Sequence, residues 1–328
     1  MQTALRTRVF RFLLLPEFSV MGFVSALEPL RVANRFLENA YQWRILSLDG
    51  GPVVASNGMS LNVDGAICAV GPSETVFVVA GFNPLDHYQR SLQVWLHSAW
   101  QAGAALGAID TGAFVLAEAR LLGSQPVTLH WEAKSAFLER YPALRVTDDL
   151  FTINDRCMTC AGGTSAIDMM LALIAQEHGK SMAAMVSEQF VLGRIRSQAD
   201  QQRMQIATRY GVHNSNAVRV IEAMEQHIED PLTPEELAAL IGVSRRQMER
   251  LFRSHLRQTP AHFYLCLRLA RARELLQQTA LSVMAICVAC GFGSASCFSR
   301  AYRSHFGVSP TADRAGNSHV SQAIKMAI

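Results

Sequence analysis

Long apolar runs are missing from this chain. The most apolar N-terminal stretch, Val9 to Leu15, ends at Pro16-Glu17. It is too short to span a bilayer and no small-residue cleavage site follows, so it reads as a buried strand, with no membrane span and no signal peptide. A disulfide framework is missing too. The 7 cysteines are odd in number and scattered through both halves, which points to a reducing cytoplasm. Cys-x-x-Cys occurs at Cys157/Cys160 and at Cys287/Cys290, in different predicted domains and without supporting histidine spacing. Buried, inert thiols fit better than zinc, and neither a metal nor a cofactor is expected. Charge is sparse, at 17% against 50% hydrophobic residues, which excludes extensive disorder. Lysine is absent from residues 243–314, where all 11 basic residues are arginine.

The charge that is present is unevenly placed. Residues 1–200 carry 15 basic and 18 acidic side chains, or −3, whereas 201–328 carry 15 and 9, or +6. Within 243–314 the 11 arginines face only Glu249, Glu274 and Asp313, giving +8. Guanidinium groups fork onto phosphate and guanine, so this balance implies a nucleic-acid partner. A solvated basic face would explain the charge alone equally well.

A repeat decides between them. Residues 244–260 align with 294–310, pairing Ser244 with Ser294, Arg250 with Arg300, Arg253 with Arg303, His255 with His305 and Pro260 with Pro310. Met248/Phe298, Phe252/Tyr302 and Leu256/Phe306 step by four residues, the spacing of one buried helix face. Each copy follows a short apolar helix and a glycine, Gly242 or Gly291. Helix, glycine turn and Ser-capped helix with outward arginines is the helix-turn-helix pattern, present twice.

Upstream, apolar strands alternate with amphipathic helices. Strands are expected at Val9–Leu15, Trp43–Ser47, Thr75–Ala80, Ala104–Ile109 and Cys157–Ala161, with shorter ones near Val127–Leu129 and Phe151–Ile153. Helices are expected at Gly22–Phe36, His87–Ala102, Gly112–Ala119, Trp131–Tyr141, Thr164–Gln176 and over 181–195. Such interleaving indicates a mostly parallel sheet covered on both faces. The expected fold is α/β, a flavodoxin-like doubly wound parallel sheet domain over 1–195. A polar linker follows over 196–215, then an all-α domain with two helix-turn-helix units over 216–314 and a disordered tail over 315–328. Thr233-Pro234-Glu235-Glu236 starts one helix with cap, proline and Glu in place; Ser244 with Gln247 repeats the capping logic. Leu265 to Gln278 joins the two units.

The C-terminal segment resembles the AraC/XylS family of transcription regulators. The resemblance rests on Gly242-Val243-Ser244, Arg250-Leu251-Phe252, Thr259-Pro260, Leu267 to Ala272, and Gly291-Phe292 through Phe298-Ser299-Arg300 to Pro310. It implies base-edge contacts from Arg246, Glu249 and Arg250 in the first unit and from Ala295, Ser296, Cys297 and Arg300 in the second. Ser244 and Arg245 at the start of the first reading helix are further candidate DNA contacts, and Arg253 and Arg303, further along each helix, are the candidates for phosphate. The N-terminal segment is similar to the PfpI-like branch of the class I glutamine-amidotransferase fold, through Leu13 to Phe18, Val79-Ala80-Gly81 and Leu106 to Phe114. Catalytic members present a cysteine where this chain has Asp110, and an acidic partner where it has Gly22. Both departures remove chemistry. With Thr128 to Glu132 and Cys160 to Thr164, the whole resembles the subfamily that fuses this fold to an AraC-type module. Members of that subfamily sense small amines, amino-acid-like nutrients and quaternary amines such as carnitine and glycine betaine.

Asp110 lies where strands of a parallel sheet end, the usual ligand crevice. Pairing with a cationic ligand and capping of the next helix are both open to it. Thr111, His130 and Trp131 are further candidate ligand contacts, Trp131 through a cation–π face, although structural roles suit both rings well. His255 and His305 read as structural. The leading reading is a DNA-binding transcription regulator, an activator and homodimer. It would answer to a small-molecule effector and work with double-stranded DNA and RNA polymerase in the cytoplasm, without a membrane. The alternative is a hydrolase or lyase with Asp110 as nucleophile.

Overall fold

The computed structural model describes residues 7–154, 156–279 and 281–315. The expected disorder of the tail concerns 316–328, outside the described residues, whereas residue 315 closes a helix that begins at 310. Contacts divide the chain into two compact units, with the boundary between Gln202 and Arg203.

In the first unit Phe10, Phe12, Leu13 and Leu14 are fully buried because they run through the middle of a sheet. Strand β1 (Arg8–Leu14) lies between β2 (Tyr41–Ser47) and β6 (Glu74–Val79), parallel to both. A short hairpin, β3 (Val53–Val54) with β4 (Ser60–Leu61), stands apart from it, and β5 (Gly65–Ala66) forms one edge. Beyond β6 come β7 (Ala105–Ile109) and β9 (Cys157–Cys160), both parallel, and β8 (Phe151–Ile153), the one antiparallel edge of the seven-stranded sheet. Side chains alternate across the sheet. Phe10, Phe12 and Leu14 pack with α1 (Val20–Ala33), α5 (Ser165–His178) and α6 (Lys180–Glu188). Leu13, Val76 and Val78 pack on the other face with α2 (Arg90–Gln101), α3 (Gly112–Glu118) and α4 (Lys134–Arg140). The doubly wound, mostly parallel α/β architecture expected from the sequence is the one observed.

Four local expectations need correction. Val127–Leu129 forms no strand: Val127 makes an isolated bridge to Val146, and the Thr128 amide is held by the Thr159 hydroxyl at 2.7 Å, outside any ladder. Trp131–Tyr141 is a 3-10 turn over Trp131–Ala133 followed by α4, not one helix. The helix expected over 181–195 ends at Glu188, and Val191 turns the chain with φ of 55°. Residues 196–215 are not a free linker, because 196–202 are hydrogen-bonded onto the first unit and α7 (Ile206–Tyr210) belongs to the second.

The second unit continues with α8 (Ser215–Gln226), α9 (Pro234–Leu240), α10 (Arg245–Leu256), α11 (Pro260–Gln278), α12 (Val283–Ala289) and α13 (Ala295–Phe306). Thr233 and Ser244 form complete capping boxes with Glu236 and Gln247, as their spacing requires. The unit holds two small cores. Met248 and Phe252 pack with Ile221, Met224 and Leu237 in one, and Phe298 and Tyr302 pack with Ile286, Cys287 and Leu269 in the other. Helix α11 serves both, giving Phe263 and Tyr264 to the first and Leu269, Ala272 and Leu276 to the second.

Candidate functional site

Two constellations carry chemistry, and the first is the paired turns of the helical unit. Gly242 and Gly291 both adopt left-handed backbone, φ 68° and 71°, which lets α9 and α12 turn sharply into the helices that follow. A Cβ at Gly291 would also come within 2.7 Å of the carbonyl oxygens of Ile228 and Glu229, so the second turn admits no side chain. Arginines hold both turns from beneath. Arg219 donates to the Leu240 carbonyl at 2.8 Å. Arg268 donates to the Cys290 carbonyl at 2.8 Å and to that of Gly291 at 2.6 Å, with its guanidinium over the Phe292 ring. Arg268 is therefore a structural residue of the motif.

The outward face of each second helix is what the repeat leads one to expect. On α10, Arg246, Arg250 and Arg253 are exposed; on α13, Ser296, Arg300 and Arg303 are exposed. Each set steps by four and then three residues, which aligns it on one helix face. Arg246, Arg250, Arg253, Arg300 and Arg303 carry no side-chain hydrogen bond or ion pair among the described residues. Arg245 and Glu249 differ: Arg245 Nε donates to Glu249 at 3.0 Å and its Nη1 to Glu235 at 3.1 Å, so the two face each other. Cys297 is exposed, Ala295 half-buried, and Ser244 caps α10. His255 and His305 are exposed rather than packed, His305 lying edge-on to Phe306. Cys287 and Cys290 are buried, and desolvation pushes the Cys290 thiol up to about 12. Among the described residues no group of three or more His, Cys, Asp or Glu is placed to hold a metal.

The second constellation lies at the carboxyl end of the sheet in the first unit. Strand β7 ends at Ile109, Asp110 adopts φ of 63°, and α3 begins at Gly112. A non-glycine residue in left-handed backbone costs of order 1–3 kcal/mol and persists only where its surroundings enforce it. Here they do: the Asp110 amide donates to the Cys160 carbonyl at 3.1 Å, and a Cβ at Gly112 would strike the Val78 carbonyl at 2.2 Å. Gly162, at φ 83°, lies directly under the carboxyl group; a Cβ there would be 2.7 Å from Asp110 Oδ2. The cap of α3 is Thr111 and not Asp110, so the capping role does not describe this carboxyl group. Asp110 keeps a partly open edge but is otherwise enclosed by protein. Desolvation first, and the negative charge of Glu132 second, push its pKa from 3.8 up to about 7, against a lowering hydrogen bond from the Thr111 amide.

The other candidates sort themselves around it. The Thr111 hydroxyl donates to the Gly81 carbonyl and is thereby committed to the scaffold. His130 lies tilted against half-buried Trp131 with centroids 5.6 Å apart, and its Nδ1 lies 3.8 Å from Glu132. Gly22 faces the same turn, since a Cβ there would touch Ile109 and approach the Gly163 amide at 3.5 Å. The position of the absent acid thus borders Asp110 and is empty of charge. Sequence reasoning missed Glu132, whose carboxylate acts on Asp110 from the 3-10 turn after His130. Its only signal was its place beside two aromatic candidates.

Comparison with known proteins fits both constellations. Residues 237–316 match the helix-turn-helix domain family and residues 11–176 match the DJ-1/PfpI family. The HTH-type transcriptional regulator CdhR of Pseudomonas aeruginosa is 60% identical over 306 residues, spanning 93% of this chain and 91% of that one. The chain is an AraC-family transcriptional regulator with an N-terminal DJ-1/PfpI domain. A second regulator of Pseudomonas aeruginosa, GbdR, is 39% identical over 306 residues, 93% of this chain and 83% of its own. The crystal structure of an AraC family transcriptional regulator from Pseudomonas putida superimposes with a TM-score of 0.52 at 30% identity, covering 56% of this chain and 100% of that one. As an AraC-family regulator the chain binds DNA through its helix-turn-helix domain, and its full-length relatives are regulators, not enzymes. The hydrolase or lyase reading of Asp110 falls with that finding. No helix among the described residues is long and apolar enough to cross a membrane.

Proposed function

We propose that this regulator is an activator switched by a small cationic metabolite, an amine, betaine or amino-acid-like compound, bound at Asp110. One observation carries the reading: the Asp110 carboxyl group is enclosed at the end of the sheet, above Gly162, and the negative charge of Glu132 acts on it. An ammonium group entering there would offset both negative charges, and Trp131, next to Glu132 in the chain, is the candidate cation–π partner of a quaternary one. The signal has a short way out. Segment 196–202, the last of the first unit, is fastened by side chains at both ends, and between them the Gln198 carbonyl accepts from the Leu150 amide at 2.9 Å. Arg196 binds buried Asp168 through its amide at 2.9 Å and its guanidinium at 2.6 and 2.9 Å, and reaches Thr164 at 2.9 Å. Gln202 donates to the carbonyls of Leu129 at 3.1 Å and Asp149 at 2.9 Å. Thr164 lies two residues after Gly162, which sits under Asp110, and Leu129 precedes His130, so both end fastenings are close in sequence to the pocket.

In this reading the protein acts in the cytoplasm as a homodimer, on promoter DNA with RNA polymerase. The exposed apolar Met21 and Val24 of α1 support a second copy as partner of the first unit. Thermal-shift titration with carnitine, glycine betaine, basic amino acids and uncharged isosteres tests the pocket, because a ligand of the folded state raises its melting temperature. A cation-specific rise that disappears in Asp110→Asn is expected. A response to uncharged isosteres, or one that survives Asp110→Asn, would move the site elsewhere.

A further inference from the structure

The first unit also has a cleft away from Asp110. It opens at the opposite, amino-terminal end of the sheet, where β1 and β9 begin, and has a volume of about 830 Å³. That lies within the range of roughly 300–1,000 Å³ typical of small-molecule sites. Its floor is hydrocarbon: Leu121, Leu122, Val127, Met158 and Leu173 line it, and all are buried. Its rim carries Arg8, Arg120 and Arg156, with Glu177 the one carboxylate among the described residues that line it.

The three guanidinium groups differ in how they are engaged. Arg8 binds Glu177 and Thr75. Arg156 stacks over the Trp100 ring at 3.7 Å and donates one amino group to the carbonyls of Trp100 and Ala104, but its Nε is buried without a partner. An orphaned buried donor is destabilising unless an acceptor reaches it, the more so for a charged group. Arg120 is exposed and has no side-chain hydrogen bond among the described residues; its backbone is held in the left-handed region at φ 55°. The cleft therefore combines an apolar floor, excess positive charge and a buried donor lacking an acceptor.

We infer that this cleft is a second ligand site, for an organic carboxylate with a hydrocarbon body. The carboxylate would lie between Arg120 and Arg156 and the chain on the leucine floor. It is separate from the Asp110 pocket, since β7 alone, residues Ala105–Ile109, sets them on the order of 15 Å apart. One small metabolite cannot fill both.

Isothermal titration of the full chain with hexanoate, hexanol and sulfate tests this. Saturable binding of hexanoate alone is expected, weakened about tenfold or more by Arg120→Gln, which removes a charge-assisted bond from an exposed side chain. Gln125→Glu, on the exposed lip of the cleft, should weaken it through like-charge repulsion, and Asp110→Asn should leave it unchanged. Absence of hexanoate binding would overturn the proposal. Equal binding of hexanol would reduce the cleft to a greasy surface, and equal binding of sulfate to a bare anion patch, and either result refutes the site. Loss of hexanoate binding in Asp110→Asn with none in Arg120→Gln would assign the carboxylate to the other pocket.

Discussion

At Asp110, burial and a neighbouring carboxylate make the neutral form native up to about pH 7, while the unfolded chain ionises near 3.8. Between those values the folded state holds the extra proton, so its contribution to stability is full below 3.8, is lost as pH rises toward 7, and changes little above that. Asp110→Asn has no such loss. Its melting temperature relative to the wild type should climb from pH 4 to pH 7 and then level off; a difference independent of pH would mean the carboxyl group is not desolvated. A cationic ligand favours the ionised form, so binding should tighten from pH 6 to pH 8 and release protons near pH 7, readable by titration in buffers of different ionisation heat. The placement of Asp110 was legible in the sequence because the segment Leu106 to Phe114 is local. Its second charge was not, since Glu132 reaches it across the fold, and neither was the engagement of Thr111 by Gly81, a contact between neighbouring strand ends.

Elements were legible where periodicity is strong. The arginine faces of α10 and α13 follow from their four-residue apolar step, and the structure leaves Arg246, Arg250 and Arg300 exposed as that pattern requires. If those three read base edges, each change to alanine should cost about 1–3 kcal/mol at the specific site and relax discrimination there. Arg253→Ala and Arg303→Ala should instead weaken all sequences and flatten the dependence on salt. Gel-shift titration against site and random DNA separates the two classes; unchanged discrimination in Arg250→Ala and Arg300→Ala would remove them from the readout. Segment 196–202 was illegible because its polarity resembles that of a linker. The contacts that fix it, Arg196 to Asp168 and Gln202 to Leu129, are long-range. Arg196→Gln together with Gln202→Ala should leave the ligand-induced thermal shift in place while abolishing the ligand's effect on transcription. Preserved transcriptional response in that double variant would rule the segment out as the route.

For the whole molecule, the repeat implies two readers on one support. Helix α11 contributes to both cores of the second unit and, at 19 residues, spans about 28 Å. That suits two major-groove entries on one side of a duplex, roughly 34 Å apart. A homodimer would then need two such sites. Footprinting of the full chain on its operator tests the account most directly. Each protomer should protect two major-groove patches about 10 base pairs apart, and Arg300→Ala should erase one of them while sparing the other. A single protected groove face per protomer, unchanged by Arg300→Ala, would contradict the account and leave α13 a structural helix.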